Sequence, residues 1–230
     1  SLRRQRQMCI RDRSGYHVFA SRRERNKKPL QNLAKGINKK GFKCTPYSMD
    51  ARNEVEIQEL FKTAAKQGKI ECVIFNIGAN VFFPISKTTS RVFKKVWEMA
   101  TFAGFLTGKE AAKYMLKNKK GTIIFTGATA SMRGSSGFSA FASAKFGLRA
   151  VAQSMARELG PKGIHVAHTV IDGAIDHPWI KENFPDIYKL KKQDGILKPD
   201  EIAQVYLDLH NQKKSVWTHE IDLRPYMEKF

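Results

Sequence analysis

Residues that could carry out chemistry cluster in three short segments, each of which follows an apolar run. One segment is Thr126–Ser131, which holds three hydroxyl side chains, and a second is Asp172–His177, which holds two carboxylates and a histidine. The third is the 76–80 sequence Asn-Ile-Gly-Ala-Asn. Hydroxyls can hold a ligand oxygen, carboxylates and histidines can transfer protons, and glycine lets the backbone approach a ligand closely. These residue types predict a site for a polar ligand.

A lysine adds a positive charge to this set. Lys145 follows Phe141 by four residues in a segment predicted to be helical, so both side chains project from the same helix face. Phe141 has no proton to give. His165 and His168 lie three residues apart on a predicted strand and should point to opposite faces, which does not suit metal ligation. We therefore predict no metal site.

The elements that position these residues alternate between strands and helices. The apolar run 122–125, a helix that ends near 156–160 and the strand 164–171 form a βαβ unit, whose two loops lie at the same edge of a parallel sheet. Ligands bind at that edge in open α/β sheets. Further strands are predicted at 16–20, 42–48, 70–75 and 216–223, and further helices at 29–40, 57–64, 88–116 and 199–210.

From about Gly15 onward the sequence resembles the short-chain dehydrogenase/reductase family. Asn76–Ala79 resembles the family's Asn-Asn-Ala-Gly segment, and Phe141 and Lys145 keep the spacing of its Tyr-x-x-x-Lys motif. Asp172-Gly173 stands where the family usually has Pro-Gly. The resemblance implies a single doubly wound, Rossmann-type α/β domain with a parallel sheet. It also implies an oxidoreductase that transfers hydride between a nicotinamide cofactor and a carbonyl/alcohol substrate.

Several residues that the family uses for catalysis are replaced in this chain. The family's tyrosine passes a proton, its serine hydrogen-bonds the substrate oxygen, and its lysine supports the tyrosine and binds the nicotinamide ribose. Only Lys145 is kept, because Phe141 occupies the tyrosine position and Ala128 the serine position. Thr101 stands where the family has an asparagine that supports a proton-relay water. The chain most resembles a subgroup with phenylalanine for the tyrosine, and losing a positioned acid costs about 10²–10⁴-fold in rate.

A rearranged site is the first interpretation of these replacements. Thr129 or Ser131 would hold the substrate oxygen, and Asp172, Asp176 or His177 would transfer protons. The same carboxylates could instead cap the helix that is predicted to follow them. Under this interpretation the chain is an oxidoreductase with an altered active site and an unknown substrate.

Two other functions are compatible with the sequence. One is a catalytically inactive NADP(H)-binding protein, in which Lys145 still binds the ribose. The other is a basic module that binds nucleic acid, and it depends on the formal net charge of +20 alone. The basic residues are spread as pairs over predicted helix surfaces and are not gathered with aromatic residues on one helix, so nucleic-acid binding is the minor alternative.

The segment after the first predicted strand favours NADP(H) over NAD(H). In nucleotide-binding sheets an acidic residue there binds the ribose 2′-hydroxyl, whereas arginine accommodates a 2′-phosphate. This chain has Arg22 and Arg23 and no acid, although both could simply be exposed arginines. Asp50 resembles the family residue that contacts the adenine ring, but it could instead be a helix N-cap. The residues expected to contact the cofactor are Arg22, Arg23, Asp50, Ala51, Asn76, Gly78, Ala79, Lys145, Gly173 and Ile175.

The first residues do not fit the resemblance. The segment Arg3–Arg13 reads as one translated frame of a sequencing adapter and has neither helical nor alternating apolar periodicity. The glycine-rich turn that holds the cofactor pyrophosphate in the family is not found before Gly15. We therefore expect residues 1–13 to be a foreign or disordered tail. Residues 14–230 are expected to be a Rossmann-fold domain that lacks its first βα unit.

Composition and cysteine usage indicate a globular cytoplasmic protein. No apolar run approaches the roughly 20 residues that span a bilayer, so no membrane partner is expected. The three cysteines are widely spaced, with no Cys-x-x-Cys pair, which indicates a reduced compartment. Small residues along the 138–156 helix, together with the 88–116 helix, resemble the helix interface of the family's dimers and tetramers. A homodimer or homotetramer is therefore expected.

Overall fold

The computed structural model describes residues 15–78 and 80–229 as α-helices, strands and short helical turns. The strands are β1 (Val18–Arg22), β2 (Cys44–Ser48), β3 (Cys72–Phe75), β4 (Gly121–Thr126), β5 (Ile164–Ile171) and β6 (Glu220–Leu223). The helices are α1 (Lys27–Asn38), α2 (Glu54–Ala65), α3 (Ser90–Trp97), α4 (Ala103–Asn118), α5 (Ser139–Leu159), α6 (Pro178–Asn183), α7 (Pro185–Lys189) and α8 (Pro199–Asn211). None of the described helices is long and apolar enough to cross a membrane.

The chain divides into two compact units. The first unit consists of Ser1–Asp50, Asp172–Asn211 and Leu223–Phe230, and the second of Ala51–Ile171 and Gln212–Asp222. Residues 1–14, which include the predicted foreign tail, lie outside the described residues, as do Ala79 and Phe230.

The first unit contains a two-stranded parallel sheet that is covered by a helix. Strands β1 and β2 pair in parallel from Val18↔Cys44 to Arg22↔Ser48. Helix α1 presents Leu30, Ala34 and Ile37, which recur at helical spacing and are almost fully buried in a cluster with Ala20 and Cys44. Burial of this apolar stripe packs α1 against the sheet and so fixes the direction of β1 and of its last residues.

The second unit contains a four-stranded sheet with the order β3-β4-β5-β6. Strands β3 and β4 pair in parallel, as do β4 and β5. Every residue of β4 and β5 is buried, as expected for central strands of a parallel sheet that is covered on both faces. The parallel pairing directs the ends of β3 and β4 to the same edge of the sheet, where the segments 76–80 and 126–131 follow.

The prediction of an α/β fold with parallel strands is confirmed, with differences in detail. The strand predicted at 16–20 begins two residues later, at Val18, and ends at Arg22. The strands of the described residues form two hydrogen-bonded sheets, of two and four strands, where one sheet was predicted. Pro29, predicted to lie in the first turn of a helix, does so, since that helix begins at Lys27.

The long helix predicted at 88–116 is interrupted in its middle. Helix α3 begins at Ser90, and the Thr89 hydroxyl accepts a hydrogen bond from the backbone N–H of Val92. A π-helical turn, Glu98–Phe102, then separates α3 from α4. π-Helical turns are rare in proteins overall, and those that occur are frequently found at functional sites. This one contains Thr101, one of the predicted site residues.

Candidate active site

Lys145 lies buried at the carboxyl ends of β3 and β4. Its side chain is 2% exposed, and its Nζ donates to the carbonyl oxygens of Thr126, at 2.8 Å, and Ile77, at 3.3 Å. These carbonyls belong to the two segments that follow β4 and β3. Because charge in a protein interior must be compensated, the carbonyl dipoles hold the ammonium group in place. Lys145 therefore joins two of the three segments in which the sequence predicts a site.

Phe141 lies one helical turn before Lys145 on α5. The Lys145 Nζ is 6.0 Å from the centroid of the Phe141 ring, within the range of a cation–π interaction. The ring and the ammonium group thus share one helix face, as the four-residue spacing predicts. A phenyl ring can contact a ligand at this position but cannot donate a proton to it.

The turn after β4 holds the other small and hydroxyl side chains of the site. The backbone N–H of Ala128 donates to the Ser131 Oγ at 3.1 Å, which ties the turn together. Ser131 is fully buried, whereas Ala128 and Thr129 are half-buried. Of the two hydroxyls that could hold a substrate oxygen, that of Thr129 is therefore the more accessible.

Thr101 contacts α5 directly beside Lys145. Its Oγ1 donates to the carbonyl oxygen of Ala144 at 2.7 Å, and the residue is buried. A Cβ on Gly147 would lie 2.7 Å from the Thr101 Oγ1, so the glycine permits the close approach of the π-helical turn. The hydroxyl that the sequence places at the relay position thus binds the backbone of the lysine-bearing helix.

The buried His168 and the half-buried Glu220 and Arg149 form a network beside Gly127, at the start of the turn after β4. Arg149 binds the Glu220 carboxylate through two nitrogens, at 2.7 and 2.6 Å, and the His168 Nδ1 lies 2.9 Å from the same carboxylate. Because a carboxylate only accepts hydrogen bonds, Nδ1 carries the ring hydrogen. The hydrogen bond from Arg149 is the main cause of a lowered pKa for Glu220. Burial lowers the pKa of His168 to about 4, although Glu220 acts in the opposite direction.

The depressed pKa of His168 predicts acid-sensitive folding. The folded ring binds its proton near pH 4, while an exposed histidine binds it near 6.5, so the unfolded state gains protons first as the pH falls. The stability is fully present above about pH 6.5 and is lost between pH 6.5 and 4, by about 3 kcal/mol. Urea unfolding at pH 7 and pH 4.5 measures this loss.

The non-titrating variant His168→Asn isolates the contribution of the ring from those of other acidic and basic groups. Wild type should lose about 3 kcal/mol more than the variant over this pH interval. The Lys145 and Arg149 cations act in the same direction as burial, whereas Glu220 opposes it. Equal losses in the two proteins would contradict the assignment.

In the first unit, the arginine pair follows the predicted nucleotide strand. Arg22 is the last residue of β1, is 8% exposed and has its pKa lowered by burial. Arg23 is half-buried and precedes a short 3₁₀ turn. Asp50 is half-buried. The N-cap of α2, which was the alternative role predicted for Asp50, is Asn53, whose Oδ1 accepts hydrogen bonds from the Val55 and Glu56 N–H groups.

In the Asp172–His177 segment, which is also in the first unit, both carboxylates bind other side chains. Asp172 is 5% exposed and lies 3.0 Å from the Arg224 Nη2. Asp176 accepts from the Tyr188 hydroxyl at 3.0 Å and lies 2.9 Å from the Lys191 Nζ. The cap of α6 is the His177 Nδ1, which accepts from the Trp179 N–H, and not a carboxylate.

The remaining predicted residues differ in how they are placed. Gly173 has φ +127°, a conformation that favours glycine, and a Cβ there would lie 2.8 Å from Pro225. Ile175 is buried and forms an isolated bridge with Leu197. Ala51 is buried, Asn76 is half-buried and Gly78 is exposed. Ala79 lies outside the described residues.

Comparison with known proteins identifies relatives along most of the chain. The model of the short chain dehydrogenase family matches residues 9–186. The (21S)-21-acetoxyl-apo-melianone synthase of Melia azedarach is 31% identical over 171 residues, which is 70% of this chain but 62% of that protein. The chain thus spans less than two thirds of this curated relative.

Solved structures extend the similarity to the fold. The crystal structure of a short-chain dehydrogenase from Rhodopseudomonas palustris is 47% identical, with a TM-score of 0.84 over 98% of this chain and 94% of the other. An alcohol dehydrogenase from the archaeon Thermococcus sibiricus, complexed with 5-hydroxy-NADP, is 20% identical, with a TM-score of 0.82 over 98% and 92% of the two chains. Because the family model covers more than half of the sequence, and the Rhodopseudomonas protein shares nearly half of its residues, this chain belongs to the short chain dehydrogenase family.

Proposed function

We propose that this protein is an NADP(H)-dependent oxidoreductase that acts on a carbonyl/alcohol substrate through an altered active site. The observation that carries the proposal is the buried ammonium group of Lys145, held by the Thr126 and Ile77 carbonyl oxygens at the edge where the family binds its cofactor. Burying a lysine is costly unless its charge is compensated, so a buried ammonium group at this edge is a candidate for a functional role. Membership of the family supports the oxidoreductase class.

The residues of the second unit suit one side of a nicotinamide dinucleotide. Lys145 supplies a cation, Gly78 exposes backbone, and Asn76 is the first residue after β3. When bound, the cofactor supplies or accepts the hydride. The protein's own tasks are then to hold the ribose, to orient the substrate oxygen and to exclude water from the reacting atoms.

Substrate orientation is assigned to Thr129. Its hydroxyl is half-buried, whereas the Ser131 oxygen is fully buried and already accepts the Ala128 N–H. Phe141 would contact an apolar part of the substrate, in keeping with a subgroup in which phenylalanine replaces the family's tyrosine. Asp172 and Asp176 stay as candidates for proton transfer, and each would have to exchange a hydrogen bond or ion pair to take that role.

The arginine pair supports NADP(H) over NAD(H), because β1 ends in an arginine and not in the acid that would bind a ribose hydroxyl. The Thermococcus neighbour is complexed with an NADP derivative, but at 20% identity it establishes the fold alone. Replacing Arg23 by alanine should weaken NADPH binding about tenfold, because a charge-assisted hydrogen bond to phosphate contributes about 1.5–3 kcal/mol. NADH binding should change little, and fluorescence titration measures both.

Arg25→Ala is the matched control for this prediction, because Arg25 is an exposed arginine two residues away on the 3₁₀ turn. It should leave both affinities within about twofold of wild type. If Arg23→Ala weakens NADPH and NADH by the same factor, the arginine does not read the 2′-phosphate.

Exposed aromatic side chains support assembly of this chain with itself. Trp97 and Phe105 are 40% and 43% exposed, and Phe102 stacks between them at centroid distances of 6.2 and 6.5 Å. A stack of this kind is an apolar surface suited to an interface between copies. We propose a homodimer or homotetramer, and a monomeric mass in light scattering would refute it.

The second candidate function is an NADP(H)-binding protein without turnover. The observation that favours it is that Phe141 lies on the catalytic helix face and has no proton to donate. Fluorescence titration with NADPH, followed by a screen of aldehydes, ketones and alcohols, separates the two functions. Binding with turnover supports the oxidoreductase, binding without turnover supports the second candidate, and the absence of binding to either dinucleotide refutes both.

A further inference from the structure

A buried hydrogen-bond acceptor on His168 faces the turn that follows β4. The ring is fully buried, and its Nδ1 hydrogen is directed to the Glu220 carboxylate at 2.9 Å. The Nε2 atom therefore carries a lone pair. Within the described residues this atom has no hydrogen-bond partner. A buried acceptor left in this state is costly, so a donor is expected close to it.

A hydroxyl on the same side of the ring as this lone pair belongs to Ser131. A Cβ placed on Gly127 would lie 2.3 Å from the His168 Nε2 and 2.8 Å from the Ser131 Oγ, so both atoms approach the same point beside the glycine. The absence of a side chain at Gly127 permits this approach. The Ser131 Oγ accepts the Ala128 N–H, and a hydroxyl that accepts still has its own hydrogen to donate.

The His168 ring is held in place on its Nδ1 side. Arg149 binds Glu220 through two nitrogens, and Glu220 in turn receives the His168 Nδ1 hydrogen. Arg149 and Lys145 are four residues apart on α5 and so share a face of that helix. The Nε2 lone pair is therefore directed to the turn by contacts on the sheet and on the lysine-bearing helix.

We propose that His168 is a positioning residue, whose Nε2 accepts the hydroxyl hydrogen of Ser131 through one bound water and so fixes the turn that carries Ala128 and Thr129. The role builds on the proposed oxidoreductase function, in which Thr129 orients the substrate oxygen. His168 itself is fully buried, so it acts through Ser131 and does not touch the substrate. A displacement of about 1 Å in such a turn is enough to slow turnover about 100-fold.

A double-mutant cycle with His168→Asn and Ser131→Ala tests this role. The asparagine amide can still donate to Glu220 from the position of Nδ1, but it offers no acceptor at the position of Nε2. Each single variant should lower kcat about tenfold while KM and the NADPH Kd stay within about twofold. The double variant should be no slower than the slower single variant, because both changes remove the same interaction.

Ser143→Ala is the control, since the Ser143 hydroxyl donates to Ala140 within α5 and lies outside this network. It should leave kcat within about twofold of wild type. Additive losses in the cycle, an unchanged kcat in His168→Asn, or a loss confined to NADPH affinity would each overturn the proposal.

A spectroscopic measurement decides the proposal independently of turnover. If wild type binds NADPH but is inactive, the proposed function fails while the hydrogen bond can still be tested by the ¹⁵N chemical shift of the His168 Nε2. We expect the resonance of an unprotonated acceptor, and it should move in Ser131→Ala but not in Ser143→Ala. A resonance that is the same in wild type and Ser131→Ala overturns the proposal. Because this measurement does not use His168→Asn, it still tests the proposal if that variant does not fold.

Discussion

Lys145→Ala is expected to lower kcat/KM by at least about 10³-fold, or about 4 kcal/mol of transition-state stabilisation, and to weaken NADPH binding about tenfold. The expectation follows from the position of the ammonium group, which is 2% exposed and bound to the Thr126 and Ile77 carbonyl oxygens. Removing it deletes the cation of the site and leaves two buried carbonyl oxygens without that donor. Steady-state kinetics and fluorescence titration measure the two effects.

Two further variants separate charge from packing. Lys145→Met keeps most of the side-chain volume and removes only the charge and the donors, so it should lose activity as fully as the alanine variant while unfolding at a similar denaturant concentration to wild type. Lys109→Ala removes an exposed lysine that is paired with Glu54 and should be within about twofold of wild type. Retention of turnover in Lys145→Met would show that the ammonium group has no catalytic role.

The combined replacement Phe141→Tyr and Ala128→Ser should raise kcat/KM for a simple carbonyl substrate by about 10²–10⁴-fold. Phe141 lies on the same helix face as Lys145, with the ammonium group 6.0 Å from its ring centroid. A hydroxyl added to that ring gives the site a proton donor beside a cation. Ala128 is half-buried on the adjacent turn, where a serine hydroxyl would hold the substrate oxygen.

The gain should be greater than the product of the two single changes, because a positioned oxygen and a proton donor act on the same atom. Phe138→Tyr is the matched control, since it adds the same hydroxyl to an aromatic ring that precedes α5 and packs edge-to-face against Phe82, with a centroid distance of 5.2 Å. It should have little effect on turnover. A combined variant no faster than wild type would indicate that the native site already uses another proton donor.

The fold was predictable from the sequence wherever a short-range pattern decided it. Leu30, Ala34 and Ile37 recur at helical spacing and form the buried face of α1. The apolar runs before Asn76 and Thr126 form parallel strands that bring the following segments to one edge. Residues that repeat with the period of a helix or a strand bury one face in almost any globular context, so the pattern carries the information.

Element ends were predicted less accurately. The helix predicted to begin at residue 88 begins at Ser90 with Thr89 as its cap, and the π-helical turn after Trp97 has no signature in the apolar pattern. Asn53 takes the cap that the sequence offered as an alternative role for Asp50. Near-equivalent polar residues compete at such ends, and small differences in backbone direction choose between them.

The sequence by itself determined the family, the parallel α/β architecture and the helix face shared by Phe141 and Lys145, and it predicts that Phe141 and Ala128 stand in place of the family's tyrosine and serine. Only the tertiary structure decided which groups surround them: Lys145 reaches a carbonyl 68 residues away, and His168 reaches a carboxylate 52 residues away. Periodicity and motif spacing are properties of neighbours along the chain, so they can be read before folding. The partner of a buried polar atom depends on which distant elements pack against it, and that choice is made only when the whole core assembles.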